Sequence, residues 1–256
     1  MIYLYGLYEG QHDDLTTALE GSRGLQGVPE ISAIGPWFLV YSQHDDQEVL
    51  PKRRLLLTHT QVLERMIAVG TVLPARFGLV ADDLPAATAL IHVQSDLVAE
   101  EFDRVRGHVE LGVRIAFDRE AALDATLAEH APLRAERDAL TGKGPEAQFA
   151  IAEFGGRLAD QLDRRRGAAQ RVLLDALVPL ARDHVLRKPE DDTEVLRAEF
   201  LLSEGAQADF VAAIEDVASR LDFAPGADAA IQIVGPVPMY NFVRLSLTSE
   251  RDGVAA

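Results

Sequence analysis

Hydrophobic and polar positions change period several times along the first half of the chain. Residues 2–8 form an apolar and aromatic run ending at Glu9-Gly10, the pattern of a buried strand. Asp13-Asp14 followed by Leu15, Ala18 and Leu19 predicts a capped short helix that Gly21 ends. Residues 30–34 and 37–41 are short apolar runs around Gly35-Pro36, predicting an antiparallel hairpin. From 52 to 69, Leu55, Leu56, Val62, Leu63, Met66 and Ile67 recur at helical spacing, and Gly70 supplies the stop. Residues 71–74 then read as a short extended segment entering Arg76-Phe77-Gly78.

Asp82-Asp83 opens another helical region, with Leu84, Ala87, Leu90, Ile91, Leu97, Phe102 and Val105 on its apolar side. Residues 109–117 alternate strictly, as a half-buried strand does. Strand, helix, two strands, helix, strand is the ferredoxin-like order, here expanded at the second helix. Residues 118–140 are rich in Ala, Leu and charge, and 141–145 break the pattern. A long helix is then predicted from 146 to about 185, weakened or bent at Gly155-Gly156, Gly167 and Pro179, forming an arm against 118–140. A strand around 200–202, a helix over 210–221 and strands at 231–234 and 240–247 follow.

The expected fold is therefore α+β: an N-terminal modified ferredoxin-like domain over 1–120, then an α+β domain over 121–256. The second would carry a long, coiled-coil-like helical arm (about 121–188) and a strand-helix-strand-strand segment (about 193–249). Residues 251–256 read as a frayed end.

Composition narrows the chemistry. The 256 residues carry 25 Lys and Arg against 41 Asp and Glu, a formal charge of -16. Such a surface repels nucleic acid and anionic membranes, so neither is expected as a main partner. The absence of cysteine removes disulfides, thiolate metal sites and Cys nucleophiles. No signal peptide and no apolar run of membrane-spanning length is read, making the cytoplasm the default location. Residues 146–188 are slightly basic at +2, leaving -18 elsewhere, and include Arg164-Arg165-Arg166. Three consecutive Arg point around a helix, which favours a salt-bridging arm over a nucleic-acid site.

Catalytic signatures are sparse. No dinucleotide fingerprint, Walker loop, zinc-protease helix or nucleophile elbow is present. His12-Asp13-Asp14 and His44-Asp45-Asp46 suggest solvated, capping roles, and His59 a boundary position beside the apolar stripe of its helix.

Four ordered motifs carry more information than any one of these. They are Tyr3-Leu-Tyr-Gly6, Gly70-Thr-Val-Leu-Pro-Ala-Arg-Phe-Gly78, Gly107-His-Val-Glu-Leu-Gly-Val-Arg114 and Gly235-Pro-Val-Pro-Met-Tyr-Asn-Phe-Val243. Together they resemble the gas vesicle protein GvpF/GvpL family over almost the whole chain, with Leu111 and Val237 standing where that family commonly has Trp. The resemblance implies a non-enzymatic gas vesicle accessory or assembly protein, cytoplasmic and vesicle-associated, without a cofactor. Its implied partners are the small hydrophobic, GvpA-like shell protein and other gas vesicle accessory proteins. Candidate partner-binding or motif residues are Gly70, Thr71, Leu73, Pro74, Arg76, Phe77, Gly78, Glu110, Tyr240 and Phe242. An exposed sheet edge or apolar groove near 71–77 is the expected contact surface. The alternative is a ferredoxin-like ligand-binding protein or enzyme using a polar pocket of His59, Arg76 and Glu110. A third reading is a nucleic-acid binder acting through Arg164–Arg166.

Overall fold

A computed structural model describes residues 1–244. The chain forms two compact units, one of residues 1–110 with the segment from Pro236, the other of residues 111–235.

The first unit is built from β1 (Ile2–Glu9), α1 (His12–Leu19), β2 (Glu30–Ile34), β3 (Trp37–Gln43), α2 (Arg53–Ile67), β4 (Thr71–Pro74), the short β5 (Val80–Ala81), α3 (Leu84–Val93) and α4 (Ser95–Val105). Its sheet runs β2-β3-β1-β4, with β5 also paired to β1. Neighbours are antiparallel, and the predicted hairpin closes at the Ile34–Trp37 pair. One local irregularity organises the core. The register against β3 passes from Leu4–Tyr41 to Gly6–Val40, so Tyr5 is an extra residue on β1. That bulge resets the alternation and brings Tyr3, Tyr5 and Tyr8 into one buried cluster with Leu15, Val62, Leu63 and Met66 from α1 and α2. Leu4 and Leu7 are buried too, and Trp37 stacks on Phe102 of α4 at 5.8 Å. Helices thus cover both sheet faces, which is why β1 is apolar throughout instead of alternating.

The strand expected to complete this sheet, residues 109–117, does not. It is β6 (His108–Ala116), a member of the second sheet, and the brief β4 takes its place. Four residues suffice because Val72, Leu73 and Pro74 are all buried and α4 packs beside them. The helical region after Asp82-Asp83 is two helices joined at Gln94, the first capped by Asp83 accepting from the Ala86 amide at 2.8 Å. In α1 the expected Asp cap is displaced: Gln11 is the N-cap, and Asp13 and Asp14 lie in the first turn. Helix α2 ends at Ile67, with Ala68 as its C-cap, and Gly70 follows as a site of close approach, not of a left-handed turn. A Cβ there would stand 2.6 Å from the Tyr8 ring and 2.7 Å from the Glu9 carbonyl.

The second unit continues β6 into α5 (Arg119–Glu129), α6 (Ala131–Leu140), α7 (Gln148–Leu177), β7 (Asp183–Leu186), β8 (Glu194–Ser203), α8 (Gln207–Ser219) and β9 (Ala230–Val237). Its sheet order is β7-β8-β6-β9. Counting α5–α7 as one helical layer, this repeats the βαββαβ succession and strand order of the first unit. The long helix runs unbroken through Gly155, Gly156 and Gly167. It stops at Leu177, earlier than 185, because Pro179 sits in a tight turn and residues 183–185 enter β7. Leu162, Ala169, Leu173 and Leu177 are its buried side, and α5, α6 and α8 pack against it. The last expected strand is also corrected. β9 extends through Gly235-Pro236 to Val237, and residues 239–242 turn. The remainder of that expected strand beyond 244, and the tail at 251–256, lie outside the described residues.

Candidate functional site

Residues of three of the four sequence motifs meet within the first unit at an aromatic node around His59. α2 buries this histidine to 1% exposure, because its position lies on the same helical face as Val62, Leu63 and Met66. Its Nδ1 lies 2.8 Å from the Tyr3 hydroxyl, which also accepts from the Gly78 amide at 3.3 Å. Tyr5 stacks on the imidazole at 5.7 Å, Phe77 meets it edge-on at 5.7 Å, and Tyr240 stacks at 6.3 Å. Loss of hydration pushes the His59 pKa down to about 4, against the opposing effect of a hydrogen bond to the Ala75 backbone. The ring is therefore neutral near pH 7. Burial likewise raises the pKa of Tyr3 and Tyr240, keeping both hydroxyls protonated.

Beside this node, two buried carboxylates hold the closing segment. Glu110 is 2% exposed and accepts from the Asn241 amide at 3.2 Å and from its Nδ2 at 2.5 Å. Glu101 of α4, also buried, accepts from the Arg244 amide at 3.0 Å and pairs with Arg104 at 2.6 Å. Between them, Met239 and Phe242 insert into the core. A carboxylate offers several acceptor sites and suits an irregular backbone whose amides lack a sheet or helix partner.

The candidate residues divide by exposure. Leu73, Pro74, Glu110 and Phe242 are interior, whereas Arg76 is exposed and Tyr240 is 38% exposed. Gly70, Thr71, Phe77 and Gly78 are half-buried, and Gly78 adopts a φ of 91° that its turn requires. At 71–77, β4 forms the outer strand of its sheet, and the side chains of Val72 through Ala75 are buried. His59 and Glu110 are core groups with Tyr3 and Asn241 as partners, and Arg76 faces solvent. They do not form the convergent polar cleft that the enzymatic alternative needs.

Tyr3 and Asn241 lie inside the sequence motifs but are not among the candidate residues, and Glu101 lies outside them. Tyr3, Glu101 and Asn241 carried no chemical signature, although Glu101 falls on the apolar face with Val98, Phe102 and Val105. His44 is not solvated: it is 6% exposed, its ring 6.0 Å from Tyr3, while Asp45 and Asp46 remain outside. His12 is exposed beside Asp13 as expected. The arginine triplet splits three ways around α7. Arg165 turns inward to the Phe223 carbonyl at 3.1 Å, the Asp222 carbonyl and the Glu129 carboxylate. Arg166 pairs with Asp163 at 2.8 Å, and Arg164 is exposed, so the three consecutive arginines present no continuous basic face for nucleic acid. Among the described residues no group of three or more His, Asp or Glu is placed to hold a metal ion, and no helix is long and apolar enough to cross a membrane.

The family described as gas vesicle synthesis protein GvpL/GvpF matches residues 1–244. The chain belongs to this family. Gas vesicle protein F of Dolichospermum flosaquae is 30% identical over 218 residues, covering 84% of this chain and 87% of that protein. Gas vesicle protein F of Streptomyces sp. (strain CB03234) is 28% identical over 241 residues, 94% and 98% of the two chains. Among solved structures, GvpF from Anabaena sp. PCC7120 superposes with a TM-score of 0.80 at 26% identity, covering 96% of this chain and 98% of that one. GvpF from Microcystis aeruginosa gives 0.73 at 25% identity, covering 95% and 99%. As a GvpL/GvpF protein the chain has a gas vesicle-related role. The α+β architecture, with antiparallel pairing and a long helix, is that of the family's crystal structures.

Proposed function

We propose that this GvpL/GvpF protein is a non-catalytic assembly factor that works in the cytoplasm at the growing gas vesicle. It binds the small hydrophobic, GvpA-like shell subunit and covers its apolar surface until the subunit joins the wall, remaining as a minor vesicle component. The observation that carries this reading is the outer rim of the motif node. Phe77 and Tyr240 each pack on buried His59 while remaining partly exposed as residues, and the adjoining Arg76 has no ion pair among the described residues. Rigid aromatic rings beside an uncommitted guanidinium are the residue types that dominate protein interfaces. The strongly acidic remainder of the surface keeps a complex with a sticky client soluble.

Co-purification of the shell subunit, with light scattering to follow its aggregation, tests this. The wild-type chain should retain the subunit and suppress scattering, and Arg76→Ala with Tyr240→Ala should lose both effects while keeping the native circular dichroism spectrum. Failure of the wild-type chain to do either overturns the assignment. Undiminished binding by the double variant removes the rim as its site.

A further inference from the structure

The outward face of α7 is ordered like one half of a symmetric pair. At about 100° per residue, Phe149, Glu153, Gly156, Asp160, Arg164, Gly167 and Arg171 share a single stripe opposite buried Leu162, Ala169 and Leu173. The charges are sorted, with acids in the N-terminal half and bases in the C-terminal half. Glu153, Asp160 and Arg164 are exposed and have no ion pair among the described residues, and Arg171 bonds only the Gly167 carbonyl of its own helix, at 3.2 Å. Two glycines interrupt the stripe, although glycine is the poorest helix former after proline. Nothing within 4 Å of either position requires one: an added Cβ at Gly156 or Gly167 would meet open space. At the stripe's N-terminal end Phe149 is 77% exposed.

These features become complementary when the helix meets a second copy of itself running antiparallel. About a centre near residue 162, Glu153 falls opposite Arg171, Asp160 opposite Arg164, Gly156 opposite Gly167, and Phe149 opposite Leu174. Both ion pairs occur twice, as a twofold interface demands. The glycines then serve to let two helix backbones approach closely. Net charge permits the encounter, because residues 146–188 are +2 in a chain of -16. Two copies otherwise repel.

We infer that the protein self-associates as a twofold dimer through antiparallel α7 helices. Sedimentation equilibrium of the full chain should show a dimer that salt weakens. Arg164→Glu with Arg171→Glu should lose it, as should Glu153→Arg with Asp160→Arg, while an equimolar mixture of these two variants should dimerise again. Because the chain has no cysteine, Gly156→Cys mixed with Gly167→Cys should form an interchain disulfide, and neither alone should. Circular dichroism establishes that each variant is folded, and the disulfide mapping decides the matter should a charge variant unfold. A wild-type monomer at all concentrations overturns the inference. So does a dimer indifferent to both charge reversals, a mixture that stays monomeric, or a mixed disulfide that does not form.

Discussion

The Tyr3 hydroxyl and the His59 Nδ1 lie 2.8 Å apart in the core of the first unit, joining the first strand to a helix 56 residues later. Neither side chain is exposed beyond 1%. The groups facing the imidazole are Tyr3 and Tyr5 from β1, Tyr240 from the closing segment and Phe77, none of which is a carboxylate. The buried ring is consequently a neutral base without a counter-ion.

Acid should therefore destabilise the protein through His59. In the unfolded chain its pKa is near the ordinary 6.5, and in the folded protein it is pushed down to about 4. Between these values the unfolded state binds the extra proton, so the stabilisation is complete above about pH 6.5 and is lost as pH falls to about 4. A shift of this size corresponds to roughly 3 kcal/mol. Urea unfolding from pH 7.5 to 4.5 should show this slope in the wild type. In His59→Phe it should be largely gone, at the expense of lower stability at neutral pH.

Glu110 should matter for the closing segment more than for any chemistry. Glu110→Ala leaves the Asn241 amide and Nδ2 without the carboxylate that receives them, which costs about 1–3 kcal/mol for buried groups. Asn241→Ala removes only the side-chain half of the contact and should cost less. In a double-mutant cycle the two losses should be clearly sub-additive, and simple additivity would contradict a coupled Glu110–Asn241 contact.

Which parts of this arrangement were legible in the sequence follows from the range of the interactions. The β2–β3 hairpin and α2 are local patterns, and they were read with nearly their observed bounds. Membership of the first sheet was not local: β4 and the 109–117 strand both read as extended, and nothing in either says which sheet it joins. The bulge at Tyr5 has no sequence mark, so the alignment of three tyrosines on one face could not be anticipated. His59 looked like a boundary residue because its partners come from β1, the 71–78 turn and the closing segment, all distant in sequence. The motif residues themselves could be named. Their division into a buried node and an exposed rim needed the fold.

Two glycine substitutions should move stability in opposite directions. Gly70→Ala drives a methyl group into the Tyr8 ring and the Glu9 backbone, an overpacking that costs about 1–3 kcal/mol. Gly155→Ala meets no atom within 4 Å in the interior of α7 and should stabilise by up to about 1 kcal/mol. Thermal or urea unfolding of the two variants provides the check. A neutral Gly70→Ala would mean that Tyr8 can move aside despite its 2.9 Å hydrogen bond to the Val69 carbonyl.

Arg165 should be the least replaceable of the three consecutive arginines. Its guanidinium reaches two successive carbonyls, of Asp222 and Phe223, and pairs with Glu129, whose pKa it holds below the ordinary carboxylate value chiefly through their hydrogen bond. The Arg165 side chain is only 10% exposed, although Glu129 is 47% exposed, so the guanidinium is shielded while its carboxylate partner meets water. Lysine keeps the charge but not the planar fork that serves several acceptors at once. Arg165→Lys should therefore lose about 1 kcal/mol, the order of a net hydrogen bond, chiefly through the part-buried Phe223 carbonyl contact. Arg164→Lys, on the solvent side of the same turn, should change stability by no more than about 0.5 kcal/mol. Equal effects of the two lysine variants in urea unfolding would show that charge alone matters and that the carbonyl contacts contribute nothing.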